Sequence, residues 1–136
     1  RQFYEDVLKC CHYYSCQLLF EDNKIGIKNY FEDRGYASFL MYLPGSAKPG
    51  MSGSVRTHQQ IAEVTEEYIE NNIERVCFPE LLKDWLEFDI SKTTKFDAAM
   101  AAGYTLIADK NILLRNFHAK GNLVEAKTMF KKFKVG

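Results

Sequence analysis

An α/β fold is predicted by three observations. The stretch Gln17 to Glu21 carries Leu18, Leu19 and Phe20 without polar alternation, as a buried strand does, and runs into two carboxylates, Glu21 and Asp22. A helical segment and a second strand-like stretch, Ala37 to Leu43, follow, giving the order of a parallel unit with a right-handed crossover. Downstream, apolar residues recur at helical spacing. The expected architecture is a short, mostly parallel sheet flanked by helices.

The elements follow in chain order. Phe3, Val7, Cys10, Cys11 and Tyr14 share a helical face, so Arg1 to Tyr14 reads as an amphipathic helix. It starts at Arg1 without a helix-start signal, as expected of a piece of a longer polypeptide. After the strand Gln17 to Glu21, Asn23 can cap a helix over Lys24 to Asp33 that turns Ile27, Tyr30 and Phe31 inward. Gly35 supplies the left-handed residue that closes it. Ala37 to Leu43, rich in aromatics, reads as the second strand. Pro44 to Ser54 is rich in proline, glycine and serine, and residues 44–56 read as a flexible loop. Thr57 and Gln60 form a capping box before the apolar stripe Ile61, Val64, Tyr68 and Ile69. Pro79 opens a short helix to Leu86. Lys95 to Ala108 reads as a long helix with Phe96, Ala99, Met100, Gly103, Tyr104 and Ile107 on one face, its small residues suited to close packing on a sheet. Asn122 and Glu125 suggest a last helix, basic and amphipathic, with Leu123, Ala126, Phe130 and Phe133.

A length of 136 residues fits one domain, and 46% hydrophobic with 26% charged residues is a globular composition. No apolar run approaches the roughly 20 residues of a membrane span. The four cysteines make neither a CxxC pair nor a regular framework, which points to reduced thiols rather than structural zinc. The net charge is zero but segregated: Thr57 to Ser91 holds nine acidic and two basic residues, and residues 110–136 hold seven basic and one acidic. A basic segment of that kind is either a solvated helix face or a surface for phosphates.

Glu21 lies where open α/β sheets gather their active sites, at the carboxyl end of a strand. Asp97 lies in the first turn of a helix expected to pack on that sheet. Carboxylates so placed suit magnesium, which takes oxygen ligands and keeps several waters. Other readings stand beside this one. Glu21 can be a polar strand end, and Asp97 is favoured at a helix start by the macrodipole, or by a capping arrangement with Thr94. Asp22 is the weaker neighbour, because it continues the face of Leu18 and Phe20 whereas Glu21 continues that of Leu19. His12, His58 and His118 are scattered, and neither a GxxxxGK[ST] nor a GxSxG motif occurs. Lys48, Arg56 and Lys95 are the candidate contacts to a DNA backbone.

The ordered stretches CQLLFEDNKIG, YFEDRGY, YLPGSAKPGMSGSVRTHQQIAEVTEEYIE and LLKDWLEFDISKTTKFDAAMAAGYTLIA resemble the carboxyl-terminal nuclease domain of the phage large terminase subunit. The resemblance covers roughly Phe3 to Asp109. It implies a ribonuclease H-like fold and a metal-dependent endonuclease that cuts double-stranded viral DNA during genome packaging in the bacterial host cytoplasm. It implies Mg2+ or Mn2+, two ions in an intact site, held by an acidic triad whose second and third members match Glu21 and Asp97. The first member, the opening strands and the ATPase domain have no match. The single domain 1–136 is therefore expected to be the distal part of such a nuclease, incomplete and weak in metal binding alone. The implied partners are double-stranded DNA, the terminase ATPase domain, the portal and the small terminase subunit. Strand edges left open are expected to favour self-association. Alternatives are a non-catalytic DNA- or partner-binding module using the basic segment, and another ribonuclease H-like nuclease such as a resolvase.

Overall fold

The computed structural model describes residues 1–112; the helix expected after Asn122 and most of the basic segment 110–136 lie outside the described residues. Five α-helices are described: α1 Gln2–Tyr14, α2 Ile25–Asp33, α3 Val55–Asn72, α4 Pro79–Glu87, and α5 over residues 97–112. Short 3-10 turns lie at Ala37–Phe39, Ile73–Arg75 and Ile90–Lys95. None of the described helices is long and apolar enough to cross a membrane.

The helices form for local reasons. α1 buries Leu8 and Cys11, and burial pushes the Cys11 thiol up to about 11, the mark of a packed thiol rather than a reactive one. It ends at Ser15 in the left-handed conformation, with the Cys16 amide donating to the Cys11 carbonyl at 3.1 Å. The cap expected at Asn23 does not form: α2 starts after Lys24 with no side-chain cap, and the Asn23 side-chain amide donates to Glu21 Oε1 at 3.0 Å. Gly35 closes it at φ 79°, as expected, and the Tyr36 amide donates to the Phe31 carbonyl at 2.8 Å. α3 begins three residues before the expected capping box. Ser54 is its cap, accepting from the Thr57 amide at 3.2 Å, and Thr57 is buried one turn in. Pro79 occupies the first turn of α4, where its missing N–H costs nothing.

The α/β expectation does not hold. The described chain is mostly helical and forms no strand; two isolated parallel bridges, Leu18 to Leu40 and Glu21 to Met51, take the place of the sheet. A ribonuclease H-like sheet is therefore absent among the described residues. The physical reason lies in how residues 18–22 spend their backbone groups. The Leu18 amide donates to the Phe39 carbonyl at 2.7 Å, and the Met41 amide to the Leu18 carbonyl at 2.9 Å. Two residues later the partner changes: the Met51 amide donates to the Phe20 carbonyl at 2.8 Å, and the Asp22 amide to the Met51 carbonyl at 2.9 Å. One extended segment is thus shared between two others, with one bridge to each, and no ladder propagates. The expected second strand is shortened further because Ala37–Phe39 curls into a 3-10 turn. Without a strand there is no sheet edge among the described residues to drive self-association.

Extended backbone nevertheless does the work of a dividing layer. Leu8, Cys11, Ile27 and Phe31 of α1 and α2 pack with Phe20 and Leu40. Ile61 and Val64 of α3 and Ile107 of α5 pack with Leu19 and Met41. Neighbouring residues on an extended chain point to opposite faces, so Leu19 and Phe20 serve different cores, as do Leu40 and Met41. On the second side α5 packs closely against α3 rather than against a sheet: a Cβ at Gly103 would stand 2.2 Å from Ile61 Cγ2.

Gly50 joins the loop to the dividing layer. It sits at φ 87°, its amide donates to the Met41 carbonyl at 2.9 Å, and an added Cβ would meet the Phe20 carbonyl oxygen at 2.8 Å. Gly50→Ala is expected to lower the free energy of unfolding by roughly 2–3 kcal/mol, from the left-handed backbone and the clash together. Urea denaturation checks this; a loss under about 0.5 kcal/mol would show that the loop does not depend on this approach.

Candidate functional site

Glu21 follows Leu19 by two residues on the extended segment, and its charge helps to raise the phenol of Tyr104 on α5. Its Oε1 lies so close to Gly53 that a Cβ there would stand 2.0 Å away. Its Oε2 is 3.9 Å from Lys24 Nζ, a long and exposed pairing of small energetic weight. Asp22 is only 16% exposed and is met by Lys48 Nζ at 2.7 Å, from the loop. The bridge to Met51 fixes the backbone of both carboxylates, since it runs through Glu21 and the Asp22 amide. Two side chains that reading in sequence treated separately, Asp22 and Lys48, are therefore an ion pair.

Tyr104 of α5 closes this group. Burial, reinforced by the negative fields of Glu21 and then Asp22, pushes its phenol up to about 12. Its hydroxyl is buried and has no hydrogen-bond partner among the described residues. Tyr104 was legible in the sequence only as one member of an apolar stripe. Nothing in the local pattern marks it as the residue that borders the carboxylates.

Asp97 heads the same stripe. Asp97, Met100, Tyr104 and Ile107 are spaced by three, four and three residues, which keeps them on one face of α5. Asp97 is exposed and lies about 10 Å along the helix axis from Tyr104, from the rise of an α-helix. It does not cap its own helix. That role falls to Asp84 of α4, whose Oδ2 accepts from the Ala98 and Ala99 amides at 2.9 and 3.1 Å. These are the donors a local cap would satisfy, here met from a residue 14 positions earlier. Thr94 is not part of the arrangement; it lies in the 3-10 turn Ile90–Lys95.

The DNA contacts expected from sequence are dispersed by role. Lys48 is engaged with Asp22, although its side chain is 72% exposed. Arg56 is exposed in the first turn of α3. Lys95 is exposed, but it ends the 3-10 turn and precedes α5 instead of opening it.

Among the described residues no three His, Cys, Asp or Glu side chains gather into a metal-holding group. The donor chemistry still fits a hard cation in part. Glu21 and Asp22 offer carboxylate oxygens, and magnesium is commonly held by one or two carboxylates with water completing the shell. The Tyr104 hydroxyl, whose phenol feels both charges, is buried and has no hydrogen-bond partner among the described residues.

Asp84→Ala removes the remote cap and leaves two amides of α5 without an acceptor. It is expected to lower the free energy of unfolding by about 1–2 kcal/mol, and Asp84→Asn by less, because the amide oxygen still accepts. Thermal and urea unfolding of both variants check the order; equal and negligible losses would show that the two bonds contribute nothing. Comparison of the chain with protein-family profiles, with curated proteins and with solved structures found no match.

Proposed function

We propose that this chain contributes carboxylate ligands to a metal-dependent endonuclease centre that cuts double-stranded viral DNA during genome packaging. What supports the reading is the negative field that Glu21 and Asp22 exert at Tyr104, whose buried hydroxyl has no partner among the described residues, with Asp97 heading the same face of α5 as Tyr104. Glu21 and Asp97 are then the two ligands, and Asp22 stands beside them with its charge balanced by Lys48.

A bound divalent ion would supply an activated water for attack on the phosphodiester and would stabilise the leaving oxygen. The chain's own residues do the rest. Tyr104 borders the carboxylates with its hydroxyl buried, and that burial together with their charge keeps the phenol protonated. Lys48, Arg56 and Lys95 meet the DNA backbone, Lys48 by exchanging Asp22 for a phosphate. By the terminase resemblance, the partners are the packaging ATPase domain, the portal and the small terminase subunit, and the place of action is the bacterial host cytoplasm.

Manganese tests the ligand pair without requiring turnover. Added Mn2+ is expected to broaden the amide resonances of Glu21, Asp22 and Asp97 and the ring resonances of Tyr104 together, while Cys77 stays sharp. Glu21→Gln and Asp97→Asn should each abolish the effect at all of these positions. Broadening confined to Glu21 and Asp22, with Asp97 untouched, would overturn the pairing, as would no broadening at all.

A further inference from the structure

A cavity of about 490 Å³ opens between α3, α4 and α5, and none of the candidate site residues lines it. That volume is in the range of small-molecule sites. Ile61, Ile69, Phe88 and Ala99 make its wall apolar. Two residues of the lining, Trp85 and Thr65, each carry a polar atom, Nε1 and Oγ1, that is buried and has no hydrogen-bond partner among the described residues. A buried donor without an acceptor is unfavourable, and a ligand that offers one relieves it.

Glu66 and Glu70 also line it. They stand one turn apart on α3, exposed, and neither forms an ion pair among the described residues. No basic residue lines the cavity among the described residues. Like charges at this helical spacing repel, so a cation held between them is doubly favoured. The aromatic faces of Trp85 and Phe88 add a second attraction for a cation with an apolar body.

We propose that this cavity binds a small organic amine: an aromatic body against Trp85 and Phe88, an oxygen accepting from the indole N–H, and an ammonium between Glu66 and Glu70. The charge of the lining selects the ammonium, and the two orphaned polar atoms select an oxygen-bearing body. The inference is independent of the carboxylate site at Glu21.

Trp85 is the only tryptophan; it also lines a neighbouring cavity with Tyr68 and Phe78, so its fluorescence reports both, and replacement of Glu66 and Glu70, which line the first cavity and not the second, assigns the response. Phenylethanolamine is the probe, with phenylethanol and mandelate as matched neutral and anionic compounds. A saturable change with phenylethanolamine is expected, with affinity about fivefold or more above that for phenylethanol, and no saturation with mandelate. Replacing both carboxylates, Glu66→Gln with Glu70→Gln, should erase the preference for the amine and leave the phenylethanol response. Both positions are exposed, and circular dichroism checks that the variant folds. No saturable binding of phenylethanolamine by fluorescence and calorimetry would overturn the proposal. So would equal affinity for mandelate, or an amine preference that survives the double substitution.

Discussion

The fold depends on a single constraint: residues 18–22 lie between two helical cores and must tie themselves to the neighbouring extended segments through backbone hydrogen bonds. They do so by dividing themselves between two partners, residues 39–41 on one stretch and Met51 on the next, with Gly50 and Met41 tying those partners together. Five backbone hydrogen bonds are enough to hold three extended segments side by side. They are too few in any one register to make a ladder. What the bonds secure is orientation: once Leu18 and Phe20 are fixed, Leu19 and Glu21 must point the other way.

That orientation organises both the packing and the candidate site. Phe20 fills the core under α1 and α2, and Leu19 fills the one under α3 and α5. Glu21 follows Leu19 toward α5, where its field reaches Tyr104. The loop that supplies Met51 also supplies Lys48 to Asp22 and the Cβ-free surface of Gly53 to Glu21. A substitution that slipped the Met51 pairing by one residue would therefore disturb the core, the ion pair and the carboxylate positions at once.

Much of this was legible in the sequence, and the failures have identifiable causes. The helices announced themselves through apolar spacing, and Gly35 and Pro79 through their backbone preferences, because those signals are local. Even the alternation that assigns Glu21 to the face of Leu19 could be written down beforehand. The strands could not be judged this way. An apolar run such as Leu18 to Phe20 reports burial, and burial between helical layers looks the same as burial in a sheet. Whether a ladder forms depends on partners that lie 20 to 30 residues away in the chain. The remote cap is invisible for the same reason: Asp84 and Ala98 share no local motif, and Thr94 with Asp97 supplied a misleading one. Tyr104 was recognised as core, correctly, but its nearness to two carboxylates is a property of the tertiary structure.

Native-state amide hydrogen exchange tests the divided pairing most directly. The Leu18, Asp22, Met41, Gly50 and Met51 amides are the five donors involved. If they hold the layers together, all five should exchange only as fast as the whole domain unfolds, with one common free energy. Exchange of the Asp22, Gly50 and Met51 amides at nearly unprotected rates, while the helices stay protected, would contradict the account: the loop would then be a bystander and the carboxylates would have no fixed frame.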